Sequence, residues 1–209
     1  MPFGGITDLT VGPDGLLYAL SFGLSKIFVI FGQPIPVDFD GDGRSDITVY
    51  RDGAWFILRS SDGGLTVTGL GGLPPGPKDY DGDGKVDIAV YRDEIWYILR
   101  SSDGGVIATG WGGLFADVPV PGEYDGDGRA DVAVYRGGTW FIFDRLTVVF
   151  TITGWGGLPQ DIPVPADYDR HGKTDIAVYR DRGWYILRSS DGEVTYTEWE
   201  GLTQDIPLS

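Results

Sequence analysis

The stretch Asp79-Tyr80-Asp81-Gly82-Asp83-Gly84-Lys85-Val86-Asp87-Ile88-Ala89-Val90-Tyr91-Arg92, followed by Trp96, decides how this chain folds. Its second half alternates Ile88 and Val90 with Ala89 and Tyr91, the period of two that belongs to a strand. The segment returns as Asp46–Arg51, Asp131–Arg136 and Asp175–Arg180, and a tryptophan follows each copy at Trp55, Trp140 and Trp184. Successive tryptophans lie 41, 44 and 44 residues apart. Within one period, Ile95–Arg100 reads as a second strand and Val106–Trp111 as a third. Ser101-Ser102-Asp103-Gly104-Gly105 is the hairpin turn between them, with glycine where positive φ is needed. Val118–Pro121 leads into the next repeat. No window has helical periodicity. Four short strands in each period of about 40 residues are the signature of propeller blades, whose closure into a ring leaves few exposed edges.

The expected fold is therefore all-β, a β-propeller of four-stranded blades. Repeats are read at 32–73, 74–114, 115–158 and 159–203. Ahead of them, Ile6–Val11, Leu16–Ser21 and Lys26–Phe31 read as three strands. Gln204-Asp205-Ile206-Pro207-Leu208 repeats Gln160–Val164 and opens one strand more. Residues 1–31 and 204–209 are expected to share a composite blade, closing a single five-bladed domain by pairing the chain's two ends. A fragment of a larger propeller, or an arc closed by oligomerisation, is the alternative.

Composition narrows the functions. The 209 residues are 42% hydrophobic and 13% aromatic, enough for one buried core, so the 34 glycines and 13 prolines mark turns and not disorder. The absence of cysteine excludes disulfides, zinc–thiolate sites and a cysteine nucleophile. A formal net charge of −15 repels phosphate backbones and anionic lipid, so no nucleic-acid partner is expected. The apolar run Leu16–Phe31 is broken by Ser21, Gly23, Ser25 and Lys26, which argues against membrane insertion. Met-Pro-Phe-Gly-Gly at the start offers no basic region of a signal peptide.

The acids are not scattered. Asp38, Asp40, Asp42 and Asp46 form one loop, Asp79, Asp81, Asp83 and Asp87 a second, and Glu123, Asp125, Asp127 and Asp131 a third. Each set occupies positions 1, 3, 5 and 9 of its loop, with glycine at position 6. This is the oxygen-ligand spacing of a calcium loop, and the backbone carbonyls of Arg44, Lys85 and Arg129 at position 7 add one oxygen each. Position 12, a bidentate glutamate in EF-hands, is Val49, Val90 or Val134, and the loop runs into a strand. About three structural Ca2+ sites are expected, weak enough to suit millimolar calcium outside cells. In the fourth loop, Asp167, Asp169 and Asp175 remain, but His171 takes position 5 and Arg170 adds a positive charge. Imidazole is a poor calcium ligand, so this site is expected to be weak or vacant.

On these residues the chain resembles the FG-GAP/VCBS repeat family, the calcium-loop blades also found in integrin α-chain heads and bacterial surface proteins. Gly110-Trp111-Gly112-Gly113 and Gly154-Trp155-Gly156-Gly157 stand where that family has its signature, with Trp for Phe, and Gly69-Leu70-Gly71-Gly72 is a weaker copy. The segment Ile6–Tyr18 looks like an NHL-type blade. The resemblance implies a non-catalytic binding or scaffold module at a cell surface or outside the cell, with an unidentified protein or glycan ligand, as a homo-oligomer or part of a larger surface assembly. A lectin is the alternative, because Trp55, Trp96, Trp140 and Trp184, and Trp111, Trp155 and Trp199, recur and tryptophan stacks on sugar rings. A glycan-active or other hydrolytic enzyme is less supported. A Ser–His–Asp triad would have to use His171, the one histidine, which has no nucleophile-elbow motif beside it.

Overall fold

The computed structural model describes residues 6–11, 17–21, 26–30, 37–74, 76–198 and 207. The chain divides into two compact units, Met1–Val37 and Asp38–Ser209. The first holds the three expected strands, β1 (Ile6–Val11), β2 (Leu17–Ser21) and β3 (Lys26–Ile30), as an antiparallel meander. Their pairing with residues 204–209, and so the composite fifth blade, lies outside the described residues.

The second unit is a succession of antiparallel sheets. They are β4 (Ile47–Arg51), β5 (Ala54–Leu58) and β6 (Leu65–Gly69); then β7 (Ile88–Arg92), β8 (Ile95–Leu99) and β9 (Val106–Gly110). The third contains β10 (Val118–Pro119), β11 (Val132–Arg136), β12 (Thr139–Asp144) and β13 (Val149–Gly154). The fourth contains β14 (Ile162–Pro163), β15 (Ile176–Arg180), β16 (Gly183–Leu187) and β17 (Val194–Glu198). No helix occurs among the described residues, so the fold is all-β.

The spacing of tyrosine and tryptophan in the motif has a geometric cause. Two-residue turns join the first long strand of each sheet to the next: Asp52-Gly53, Asp93-Glu94, Gly137-Gly138 and Asp181-Arg182. Both residues of each turn have φ between 49° and 89°. Such mirror-image turns match the right-handed twist of the strands they join. The register sets Tyr50 opposite Trp55, Tyr91 opposite Trp96, Tyr135 opposite Trp140 and Tyr179 opposite Trp184. Ring centroids in these pairs lie 4.5–5.3 Å apart, the range of favourable aromatic contacts.

The sheets stack face on face. Trp55 and Ile57 of the first cover Ile88 of the second; Trp96 and Ile98 of the second cover Val132 and Val134 of the third; Trp140 and Ile142 of the third cover Ile176 and Val178 of the fourth. Hence β7, β11 and β15 are buried on both faces. The second tryptophan set bolts neighbouring sheets together. Trp111 Nε1 donates to the Phe141 carbonyl and Trp155 Nε1 to the Tyr185 carbonyl, each at 2.9 Å. A run of meander sheets packed this way is the blade arrangement.

The third and fourth sheets have the expected four strands, the first has three among the described residues, and the expectation fails in the second, which has three. Its first strand shrinks to bridges at Leu73–Tyr91 and Lys78–Asp87. The linker Gly72–Tyr80 is three residues shorter than its equivalent Gly113–Tyr124 and carries Pro74, Pro75 and Pro77, which donate no backbone hydrogen bond. Two partners vanish with the missing residues. Asp117 and Asp161, whose side chains are fully buried, pair with Arg136 at 2.5 Å and Arg180 at 2.9 Å and cap the N–H groups of Leu114 and Leu158. In the short repeat, Arg92 donates instead to the Leu70 carbonyl at 2.9 Å. Tyr124 and Tyr168 donate their hydroxyls to the Val120 and Val164 carbonyls at 2.7 Å, whereas the hydroxyl of Tyr80, fully buried, has no hydrogen-bond partner.

A buried hydroxyl without a partner costs stability, while a bonded one adds about 1 kcal/mol. Tyr80→Phe should therefore leave the urea unfolding midpoint unchanged or raise it, and Tyr124→Phe and Tyr168→Phe should each lower stability by about 1 kcal/mol. Equal losses in all three variants would contradict the assignment.

Candidate metal-binding loops

All four acidic loops adopt one geometry, built from the first carboxylate outward. Asp38 accepts the N–H groups of Gly41 and Gly43 at 2.6 and 2.8 Å, and Asp79 those of Gly82 and Gly84 at the same distances. Glu123 accepts from Gly126, and Asp167 from His171 and Gly172. Position 4 takes positive φ in all four loops, 83°, 77° and 93° at Gly41, Gly82 and Gly126 and 63° at Arg170, a conformation that favours glycine without requiring it. The ninth position is buried: Asp46, Asp87, Asp131 and Asp175 are 6%, 0%, 4% and 0% exposed. Each accepts the N–H of the loop's second residue. In loops one, two and four it also accepts the N–H of a hairpin serine, Ser60, Ser101 or Ser189, at 2.7–2.8 Å. The ninth carboxylate thus fastens the loop to the turn beyond β5, β8 and β16.

The loops are also fastened to each other, which sequence reasoning missed. The N–H of Val86 donates to the Asp38 carbonyl at 2.8 Å, that of Ala130 to Asp79 at 2.7 Å, and that of Thr174 to Glu123 at 2.5 Å. The basic residue at position 7 reaches back across the preceding loop. Lys85 lies over Gly41, Arg129 over Gly82 and Lys173 over Gly126, where any Cβ would fall within 2.8 Å of them. Lys173 Nζ donates to the Asp125 carbonyl at 2.7 Å. Arg44, in the first loop, approaches Asp42 at 4.0 Å.

In each of the first three loops, three of the four expected acids bring their oxygens together. Asp38, Asp40 and Asp42 offer ligand atoms within 4.8 Å of one another, as do Asp79, Asp81 and Asp87, and Glu123, Asp125 and Asp127. Hairpin serines satisfy part of this charge in three loops, Ser190 donating to Asp169 in the fourth. Ser61 donates to Asp40 and Ser60 to Asp42, and Ser102 and Ser101 serve Asp81 and Asp83 in the same way. The Ser61 bond is the main reason the Asp40 carboxyl is held below its usual range.

The third loop differs. Its hairpin reads Asp144-Arg145-Leu146-Thr147, without the serine pair. Asp144, 8% exposed, joins Asp125 and Asp131 in a second cluster of oxygens within 4.8 Å. Burial first, and then repulsion from Asp125, Asp144 and Asp127, pushes Asp131 up to about 7. No sequence signal marked Asp144 except the missing serines. Beside it a cleft of about 430 Å³ opens between the third and fourth sheets, walled by Ile142, Ile176 and Leu187, with Asp131, Asp144 and Ser189 among its polar lining.

In the fourth loop, Ser189, His171 and Asp169 stand in line as in a hydrolytic relay. However, Ser189 Oγ donates its proton to Asp175 at 2.7 Å, so the imidazole has no serine proton to withdraw. Trp55, Trp96 and Trp140 are buried and Trp111, Trp155 and Trp184 half-buried, so the described tryptophans pack between and within sheets. Trp199 lies outside the described residues.

No family model matches the chain, and no curated protein sequence does. Among solved structures it is similar to virginiamycin B lyase from Staphylococcus aureus, at 12% identity and a TM-score of 0.48, over 97% of this chain and 72% of that one. It is also similar to an auxiliary nutrient binding protein from Bacteroides thetaiotaomicron, at 12% identity and a TM-score of 0.45. That match covers 93% of this chain and 57% of the other, so the chain spans little more than half of that relative. Likenesses this remote carry no activity or ligand across.

The crowding at Asp131 has a measurable consequence without metal. Its folded value lies above the ~3.9 of an unfolded chain, so the folded form keeps a proton that the unfolded form has lost. The resulting stabilisation is complete below about pH 4 and lost as pH rises through about 7. In chelator, the urea midpoint should fall across that window by roughly 2–4 kcal/mol of stability, and Asp131→Asn should flatten the fall. An unchanged slope in the variant would place the titration elsewhere.

Proposed function

We propose that loops one to three each hold a calcium ion and that the chain is a calcium-braced, propeller-type binding or scaffold module working outside the cell. One observation carries the proposal. In each of three loops the carboxylates at positions 1 and 3 converge with a third acid, at position 5 or 9, and in the third loop Asp125 also converges with buried Asp131 and the hairpin residue Asp144, with no hairpin serine beside them. Like charges gathered within 4.8 Å are held at a cost that a hard divalent cation removes. The assignment to FG-GAP/VCBS-type blades belongs to this proposal, as does the NHL-like character of the first unit.

The module is read as non-catalytic, since the acids serve the loops and Ser189 is committed to Asp175. Its ligand, protein or glycan, remains unidentified. The cleft between the third and fourth sheets is the described cavity open to such a ligand. The alternative, a lectin, would have to use the half-buried Trp111, Trp155 and Trp184, because Trp55, Trp96 and Trp140 are buried. No helix of the described residues is long and apolar enough to cross a membrane.

Calcium bound only to the folded chain stabilises by mass action, about 2.7 kcal/mol per site at one hundred times Kd. Melting should rise on adding millimolar calcium and fall with chelator. Terbium luminescence should report about three sites, and Asp38→Ala, Asp79→Ala and Asp125→Ala should each remove one. No melting shift at millimolar calcium would refute the proposal.

A further inference from the structure

Equivalent positions of successive repeats fill the junctions between sheets differently. At the junction of the second and third sheets, Phe143 packs against the core and stacks on Trp111 at 4.9 Å, and Ile107 packs against the same core. Arg145, two residues beyond Phe143, is half-buried there, and its Nη2 donates to the Tyr80 carbonyl at 2.7 Å. Counted from the repeated tryptophans, the next junction has Leu187 for Phe143, Ser189 for Arg145 and Thr151 for Ile107. Three smaller side chains leave the cleft of about 430 Å³ between the third and fourth sheets, which all three line. Tyr124, the counterpart of Tyr80, lines it as well, with no guanidinium at its carbonyl. The cleft has also exchanged a positive charge for a negative one, since Asp144 stands where Arg59 and Arg100 stand.

Carboxylate marks the polar end of this cleft. Asp46, Asp87 and Asp175 each accept a serine N–H at Oδ1, but Asp131, 4% exposed, accepts only the Tyr124 N–H, at Oδ2 and 3.1 Å, among the described residues. Asp144 directs its own oxygens at Leu146 and Thr147 of its turn, so the unbonded acceptor is Asp131 Oδ1. The cations nearby are engaged: Arg188 with Asp191 at 2.6 Å and Glu193 at 3.0 Å, and Lys173 with the Asp125 carbonyl at 2.7 Å. We propose that this cleft binds an organic cation, a guanidinium or ammonium group on an aliphatic arm, seated where the preceding junction seats its own Arg145. The head group would meet Asp131 and the Tyr124 carbonyl, and the arm would lie along Ile142, Ile176 and Leu187. Charged donors form their strongest hydrogen bonds with carboxylates, and a guanidinium, being weakly hydrated, is the group most readily buried there. The volume lies within the roughly 300–1,000 Å³ of small-ligand pockets. The inference rests on the reading of this cleft as the module's ligand site and not on calcium.

The test is calorimetric titration of the full chain with butylguanidinium chloride, in chelator and below the melting temperature, so that bound calcium does not enter the result. Wild type should take up one per chain, and neutral butylurea should bind at least ~10-fold more weakly. Ser189→Arg, which gives this junction the guanidinium of the preceding one, and Asp131→Asn, which removes the charge, should each weaken uptake at least ~10-fold. Asp103→Asn, in an exposed hairpin outside the cleft, should leave it unchanged. Melting of each variant checks that the fold is kept, and either cleft variant alone suffices. N-acetylarginine methylamide separates the sources of the cation: binding tighter than butylguanidinium marks an arginine carried by a protein, and weaker binding marks a small molecule. No uptake at millimolar probe would overturn both the proposal and the ligand-site reading. Equal binding of butylurea would overturn the cation and keep the site, and undiminished uptake by a folded Ser189→Arg or Asp131→Asn would place the probe on the acidic surface elsewhere. Calcium is read separately by terbium, so its failure would not be confused with this one.

Discussion

The hydrogen bond from the eighth residue of one loop to the first carbonyl of the loop before it sets the spacing of everything else. Val86 to Asp38, Ala130 to Asp79 and Thr174 to Glu123 repeat it without exception among the described loops. The bond leads directly into the buried ninth carboxylate and the doubly buried strand that follows. Backbone geometry therefore carries the register from sheet to sheet, and side-chain packing of tryptophan on valine fills the space that this register leaves. The basic residue at position 7 supports the same junction by lying across the previous loop's glycine.

Much of this was legible in the chain because repetition amplifies weak signals. One Asp-Gly-Asp-Gly turn says little; copies in fixed register ahead of identical strands specify a loop, a strand and a hairpin together. The Tyr-to-Trp spacing was equally readable, since a two-residue turn makes it a cross-strand pair. Asp117 and Asp161 left a trace too, in the recurring Gly-Leu-x-x-Asp of 113–117 and 157–161, but their partners Arg136 and Arg180 lie far along the sequence. The missing first strand of the second sheet could have been foreseen from the three absent residues and the prolines. Asp144 could not, because a hairpin residue becomes part of a loop's charge cluster only through tertiary packing.

The loops show how one scaffold is tuned by small exchanges. Loops one, two and four carry serine hydroxyls against their acids, the third has the buried Asp144 in their place, and the fourth has imidazole at position 5. In all four the first carboxylate accepts backbone N–H groups, from positions 4 and 6 in loops one and two, position 4 in loop three, and positions 5 and 6 in loop four. Position 5 varies from carboxylate to imidazole while the buried ninth carboxylate keeps its bond to the loop's second residue in all four.

The clasp of each loop by its successor also makes the array directional. A loop is held at its first carbonyl and its fourth glycine by the repeat that follows, and at its ninth residue by its own hairpin. Such a linear chain of nearest-neighbour couplings frays from its termini inward, like a zip fastener. Because every clasp points the same way along the polypeptide, unlocking an interior repeat loosens its predecessor before its successor.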